Sequence, residues 1–317
     1  MRVEAETGSW KLEADLDGAL IVDKPAGPTS HDVVARVRRA LRTRRIGHTG
    51  TLDPLATGVL PLVIGRATRL ASLLSGADKE YEAGIRLGLA TETYDAAGRV
   101  GPPPDPPGGI DFDQIDRALG GFRGTFDQSP PAYSAKKIDG VAAYTLARQR
   151  TPVQPRAVPV TVTHLSLQSY HHGLARLRVQ ASAGFYVRSL AHDLGQRLGC
   201  GAHLETLRRV RAGTFEEGSA IRLDAIEAEG SGAARWIVPI DQLLPDMPEV
   251  VLTDRGATRA AHGNELTPAD VTTQAVLPSG EDTTPVRRWR ILDPGGHLLG
   301  IAESRPGGAL HPVIVLV

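Results

Sequence analysis

The chain has 317 residues, 41% of them apolar and 23% charged, which is the composition of a globular protein of roughly two domains. No apolar run approaches the roughly 18 residues needed to cross a membrane as a helix, and Met1 to Asp17 mixes charges without an apolar signal-peptide core, so the expectation is a cytoplasmic protein without membrane contact. One cysteine, Cys200, excludes an intrachain disulfide framework and a Cys-rich zinc site, while a formal net charge of zero weighs against retention on nucleic acid by global charge.

Gly18 to Asp23 (GALIVD) reads as a short buried strand leading into the turn Lys24-Pro25-Ala26-Gly27-Pro28. Thr29 and Asp32 have capping-box spacing, and Val33, Val34, Val37, Ala40 and Leu41 share one helical face. Six arginines lie within residues 36–45, largely on the wet face of that helix and, with Arg44 and Arg45, in the loop after it. The next stretch, Gly47 to Leu60, is a glycine-punctuated loop with one acid, Asp53, directly before a proline. A lone carboxylate beside an anion-attracting patch fits a nucleophile or base working on a polyanion. The competing structural reading is an Asp-Pro turn or a helix cap.

Val59 to Ile64 reads as a strand, Ala67 to Leu74 as a helix and Tyr81 to Leu89 as a strand. Residues 101–109 (GPPPDPPGG) predict a surface connection, because proline supplies no amide hydrogen and restricts its neighbour. Asp113 to Leu119 looks helical. Residues 127–158 are basic and proline-punctuated, a long excursion with a short helix expected near Ala142 to Arg148. Val158 to Leu167 and Leu174 to Ala181 alternate like paired strands around a turn at His171-His172-Gly173. Val187 to Leu198 is helical in pattern and stops at Gly199, and Leu204 to Phe215 resembles a strand carrying exposed arginines.

Between Gly213 and Val250 the charge reverses, with eight acids facing two arginines. Segregation of this kind on a neutral chain points to a local phosphate-binding face. Past about residue 247 short β-like pieces follow, at Val250–Leu252, Val286–Leu292, Leu298–Ala302 and Val313–Val317, which predicts a small separate β domain.

Several short patterns fail on their own chemistry. Gly47 to Thr51 lacks the Gly-Lys-Ser/Thr of a P-loop, and Ser134-Ala135-Lys136-Lys137 matches a Ser-x-x-Lys pattern without its partner motifs. His192-Asp193 has no matching nucleophile elbow. What survives is Asp53, Tyr81, Tyr186 and Arg188, with Lys24 and His48. Each has a plain structural alternative: an aromatic in a strand, an ordinary ion pair, a solvated lysine in a turn.

Taken together these residues sit in motifs that resemble the TruB family of tRNA pseudouridine synthases. The resemblance runs through Val22-Asp23-Lys24-Pro25-Ala26-Gly27-Pro28-Thr29-Ser30-His31, the Asp53 loop, Asp78-Lys79-Glu80-Tyr81, and Arg86-Leu87-Gly88 with Thr91, Thr93 and Asp95. It continues through Gln128 to Lys137, Gly184-Phe185-Tyr186-Val187-Arg188, Leu198 to Leu204 and Leu207-Arg208-Arg209. The form of Pro54-Leu55-Ala56-Thr57-Gly58 and the excursion is similar to the bacterial stand-alone branch. The resemblance implies an α+β fold: a mixed, mainly antiparallel sheet with flanking helices and a thumb-loop insertion, plus a small C-terminal PUA-like β domain. The expected division is a catalytic domain at 1–246, with the insertion at about 127–158, and an RNA-binding domain at 247–317.

The activity implied is isomerisation of uridine 55 in the T loop of tRNA, without metal or organic cofactor. Asp53, Tyr81 and Arg188 are the implied catalytic residues. Asp53 acts at the sugar or base, Arg188 keeps it charged and oriented, and Tyr81 stacks on the uracil and is the candidate base for C5. Tyr186 and Leu207 would form the pocket, Lys24 would support its rim, and His48 would fill the space left by the extruded base. Arg44, Arg45, Lys136, Lys137 and Arg208 would contact RNA. The implied partner is the T-arm stem-loop, bound by a monomer without a guide RNA. One rival remains, an RNA-binding or RNA-folding module that keeps the fold without catalysis; a nucleotidyltransferase fails for want of a second His-x-x-His-type element and a matching lysine loop.

Overall fold

The computed structural model describes residues 16–101, 109–132, 137–138, 141–142, 156–272 and 286–317. Strand β1 (Gly18–Lys24) leads to helix α1 (Ser30–Ala40), then β2 (Ile46–His48) and β3 (Thr57–Ile64). Helix α1 begins as its sequence requires: Asp32 N donates to Thr29 Oγ1 at 3.1 Å and Thr29 N to Asp32 Oδ2 at 2.8 Å. After β3 the expected helix at 67–74 is instead a 3-10 turn, Gly65–Leu70, running into the short α2 (Ala71–Ser75). Strand β4 (Lys79–Leu87), helix α3 (Phe112–Leu119) and β5 (Gly124–Gln128) follow. The two-residue strands β6 (Lys137–Ile138) and β7 (Val141–Ala142) pair with each other, which places in a strand Ala142, the first residue of the helix expected near Ala142 to Arg148. Its remaining residues lie outside those described, as does most of the proline-rich connection at 101–109.

Long strands β8 (Val158–His171) and β9 (Leu174–Ala181) form the expected hairpin, and α4 (Val187–Arg197) ends before Gly199, whose φ is +70°. Strand β10 (Ala202–Ala212) is followed by β11 (Phe215–Glu216), β12 (Ile221–Arg222), α5 (Leu223–Glu229) and β13 (Val238–Pro239). The C-terminal part contains β14 (Glu249–Val251), α6 (Asp254–Ala261), β15 (Arg288–Leu292), β16 (Leu298–Ser304) and β17 (Leu310–Val315). Helices α5 and α6 and strands β2, β5, β6, β7, β12 and β13 are additions to the sequence reading.

Among the described residues the main sheet runs β12-β1-β3-β10-β4-β9-β8-β5, with β13 on β1, β2 on β3 and β11 on β10. Its pairings are antiparallel except β1 with β12 and β3 with β10. The second sheet, β14-β15-β16-β17, is separate. The fold is thus the mixed α+β architecture with a small C-terminal sheet.

The uninterrupted apolar run of β1 follows from burial on both faces. Leu20 and Val22 join Leu60, Leu62 and Ile64 of β3 in a core with Val33 and Val37 of α1 and Leu190 and Leu194 of α4. The alternate residues Ala19, Ile21, Val59 and Val63 point the other way and pack with Leu292, Leu298, Ile301 and Leu316. Strand β9 alternates buried and open positions, as expected of a sheet covered on one face.

Candidate functional site

The Asp53 loop is held in place by the segment that precedes α1. Lys24, the last residue of β1, is fully buried, and its Nζ donates to the carbonyls of Ala56 at 2.7 Å, Pro25 at 3.0 Å and Pro54 at 3.3 Å. Gly27 N donates to Pro54 O at 2.8 Å. Ser30, at the start of α1, clamps Leu52 by accepting from its N at 2.8 Å and donating to its O at 3.1 Å. Ala56 N closes the turn on Asp53 O at 3.1 Å. Lys24 is therefore an internal brace of the Asp53 loop and not the solvated turn lysine of its plain structural alternative. Burial lowers its ammonium to about 8, against the attraction of Asp53.

Asp53 meets Arg188 in a two-point contact, with Nε 2.9 Å from Oδ2 and Nη2 donating to Oδ1 at 3.1 Å. Arg188 lies in the first turn of α4 and its side chain is 6% exposed, so this pair is screened far less than a surface one. Behind it stands Asp95, whose Oδ2 is 3.6 Å from Arg188 Nη1, and Thr93 O accepts from the same nitrogen at 3.3 Å. Asp95 is itself fixed by Ala97 N at 3.1 Å and by the Thr93 hydroxyl. One guanidinium thus serves two carboxylates. Burial pushes the Asp53 carboxyl above its ordinary value, with Asp95 adding to the rise, and Arg188 and Lys24 oppose it without cancelling it. Arg188 thus acts in the expected direction, towards the charged form, while desolvation acts against it.

The start of α4 has its own anchor. Gln128, at the end of β5, accepts from Tyr186 N at 2.8 Å and donates to Tyr186 O at 3.0 Å, while Ser189 Oγ donates to Ser129 O at 2.8 Å. Gln128 is 2% exposed, and among the described residues this paired contact offsets the cost of its burial. Its position in the Gln128-Ser129-Pro130-Pro131 motif was visible in the sequence. Its partner across 58 positions was not.

Strand β10 carries a bulge between Leu204 and Thr206, which resets the alternation of its side chains. Leu207 and Arg209 consequently share the face of Tyr81, and Arg209 is the register partner of Tyr81 on β4. The arginines expected to be exposed on this strand therefore part ways. Arg208 binds Asp23 at 3.0 and 3.2 Å and Glu217 at 3.1 Å, away from the cavity. Arg209 is 1% exposed, donating to Val59 O at 2.7 Å and Gly50 O at 3.2 Å, with the Tyr81 hydroxyl as a further partner. Burial lowers its guanidinium from the ordinary value. Gly58 accommodates the crossing: its φ is +98°, and a Cβ there would lie 2.2 Å from Arg209 O.

These elements enclose a cavity of about 460 Å³ lined by Asp53, Tyr81, Tyr186, Arg188 and Leu207, and also by Phe185, Lys79 and Arg209. His48 stands outside that lining on β2, half-buried and edge-on to His31 at 5.4 Å between ring centroids. Burial is the first cause lowering its imidazole, followed by His31 and Arg209. Arg44 and Arg45 are exposed and also outside the cavity, and Arg45 donates to Thr68 Oγ1 at 3.0 Å. Lys136 lies outside the described residues, and Lys137 is described only in its backbone. Among the described residues no group of three or more His, Cys, Asp or Glu side chains is gathered for a metal, and no helix is long and apolar enough to cross a membrane.

An ionisable carboxylate oriented by a buried arginine, opposite a tyrosine and backed by a second arginine, suits proton transfer or attack at an electrophilic carbon in a ringed substrate. Comparison with known proteins agrees with that chemistry. Residues 38–187 match the profile described as TruB family pseudouridylate synthase (N terminal domain), and residues 188–245 match that of the tRNA pseudouridylate synthase B C-terminal domain. A tRNA pseudouridine synthase B of Solibacter usitatus is 42% identical, over 95% of this chain and 100% of its own. Its counterpart in Pseudomonas aeruginosa is 40% identical over 95% and 96%. Among solved structures, that of a Cbf5-Nop10-Gar1 complex superposes with a TM-score of 0.71 at 26% identity, covering 96% of this chain and 86% of the other.

Proposed function

The chain belongs to the TruB family of pseudouridylate synthases, and from that premise we propose that it converts uridine 55 in the T loop of tRNA to pseudouridine with Asp53 as the catalytic carboxylate. The observation that carries this reading is the two-point contact of Asp53 with Arg188 in a cavity that also holds Tyr81. The reaction breaks the bond between uracil N1 and ribose C1′, turns the base and joins C5 to C1′. The C5 proton departs and N1 gains one, so atoms and electrons balance without a redox partner. A carboxylate acting here either attacks C1′ or removes a sugar proton to give a glycal-like intermediate, and both routes use the ionised form. Arg188 supports that form by a charge-assisted hydrogen bond from Nη2 and an ion-pair contact from Nε.

Tyr81, half-buried on β4, stacks on the uracil and takes the final proton from C5. Tyr186 and Leu207 shape the pocket. Extruding the base from the folded loop costs a few kcal/mol, and His48 fills the vacated place. Arg44, Arg45 and the excursion between β5 and β8, with Lys136 and Lys137, contact the RNA by charge and shape. Residues 1–246 form the catalytic domain and residues 247–317 an RNA-binding domain. The protein works as a monomer in the cytoplasm on the T-arm, without a guide RNA; near-complete mutual coverage with two bacterial tRNA pseudouridine synthases supports tRNA as its substrate.

Release of tritium from C5-labelled uridine in unmodified tRNA tests the assignment. Wild type is expected to release it and Asp53→Asn to release none. Turnover that survives the substitution would sink the role given to Asp53.

A further inference from the structure

The cavity has a second polar wall that the isomerisation does not use. It is formed by Gly50, Thr51, Ser75, Lys79 and Arg209. Lys79 is 6% exposed and Arg209 1%, and among the described residues neither forms an ion pair. The Lys79 ammonium donates to the carbonyls of Ser75 and Ala77, and the Arg209 guanidinium to those of Val59 and Gly50. Carbonyls satisfy N–H donors but carry no net charge, so two neighbouring cations stay electrostatically uncompensated in a desolvated place. Burial lowers Lys79 to about 8, with the repulsion of Arg209 next, and Asp78 attracts it more weakly than either acts. Between the two cations the backbone is bare: a Cβ on Gly50 would lie 3.5 Å from Arg209 Nη1 and 3.8 Å from Lys79 Cε.

The strands also place this wall relative to the nucleoside site. Lys79 and Tyr81 are two residues apart on one face of β4, roughly 7 Å, and Arg209 is opposite Tyr81 in register. A missing negative charge, a glycine that leaves the cations uncovered and a spacing on the scale of one nucleotide point to one ligand chemistry.

We propose that Lys79 and Arg209 form a phosphate subsite that receives the phosphodiester adjoining the target uridine while Asp53 and Tyr81 take its nucleoside. This rests on the RNA reading above. The bound diester supplies the anion that the wall lacks and fixes the strand on one side of the extruded base.

The test measures binding of T-arm stem-loops to the full chain carrying Asp53→Asn, which removes turnover. A single methylphosphonate beside the target uridine is expected to weaken binding roughly tenfold, the scale of one charge-assisted hydrogen bond. Lys79→Met should weaken binding of the all-phosphate RNA by a similar factor and make the methylphosphonate silent. The slope of log Kd against log salt should fall by about 0.7. Additive losses, or Lys79→Met binding like its parent, overturn the proposal. If Lys79→Met melts at a lower temperature, Lys79→Arg decides: it should restore both the salt slope and the methylphosphonate sensitivity, and failure to do so overturns it. Inhibition by inorganic phosphate that depends on Lys79, with RNA affinity independent of it, assigns the wall to a free anion and also overturns it. Tritium release by wild type, measured alongside, reports separately on the isomerase reading. An active wild type with a silent Lys79 fails the subsite alone.

Discussion

The two ends of the molecule hold their parts by different forces. Around Asp53 the fixing contacts are directional: Lys24 to three carbonyls, Ser30 to Leu52, Gln128 to the Tyr186 backbone, and Arg188 to two carboxylates. Where the C-terminal sheet meets the back of β1 and β3, the buried contact is mainly apolar, one cluster holding Ile301 and Leu316 with Ile21 and Val63, with hydrogen bonds to Asp241 and from Arg69 at its margin. Hydrogen bonds set angles and distances to a fraction of an ångström, whereas apolar burial contributes free energy in proportion to area and is indifferent to direction. Damage at the first end should therefore appear chiefly in turnover, and damage at the second chiefly in stability.

The largest effect should come from Arg188→Met, which leaves Asp53 and Asp95 without their shared cation. The single-turnover rate is expected to fall about a thousandfold, ~4 kcal/mol; a variant within tenfold of wild type would break the contrast. Ile301→Ala, at a fully buried position, should cost about 3 kcal/mol of stability in chemical denaturation while leaving turnover of the folded protein unchanged. A rate defect there would mean that the apolar end also positions the site. Gln128→Ala sharpens the comparison, because it removes only the clamp on the start of α4. A loss of about tenfold in kcat is expected, the scale of one buried hydrogen bond, with KM measured in parallel and expected to stay close to wild type.

The smallest effect is a pH slope. Lys24 is lowered to about 8 in the folded protein from 10.5, so between those values the unfolded chain holds more protons than the native one. Stability then rises with pH in that window. Compared with Lys24→Met, wild type should gain up to about 1 kcal/mol per pH unit between about 8 and 10.5. Parallel stability curves for the two proteins would show that Lys24 is not buried as a charge.

Much of this was legible in the chain. The capping pair Thr29 and Asp32, the apolar run of β1, the hairpin around His172-Gly173 and the stop at Gly199 are local signals, set by side chains within a few residues of one another. The motifs were legible too, and they brought forward Asp53, Tyr81, Tyr186, Arg188 and Leu207, which line one cavity. What was not legible has one cause. A solvated turn lysine stayed open as the alternative for Lys24 because the carbonyls that bury it belong to residues about thirty positions away. Arg208 and Arg209 were read together as exposed; neighbours on a strand face opposite ways, and a bulge in β10 that has no mark in the sequence sets which one turns outward to Asp23 and which lies beneath Tyr81.

Composition, periodicity and capping thus marked β1, α1, the β8–β9 hairpin and α4 by themselves, and the motifs named residues that line one cavity. Only the tertiary structure decided which charges are buried, which carboxylate shares Arg188 with Asp53, and which of two adjacent arginines enters the cavity. The physical reason is that burial and charge pairing depend on partners brought together from distant parts of the chain, and one shift of strand register is enough to exchange them.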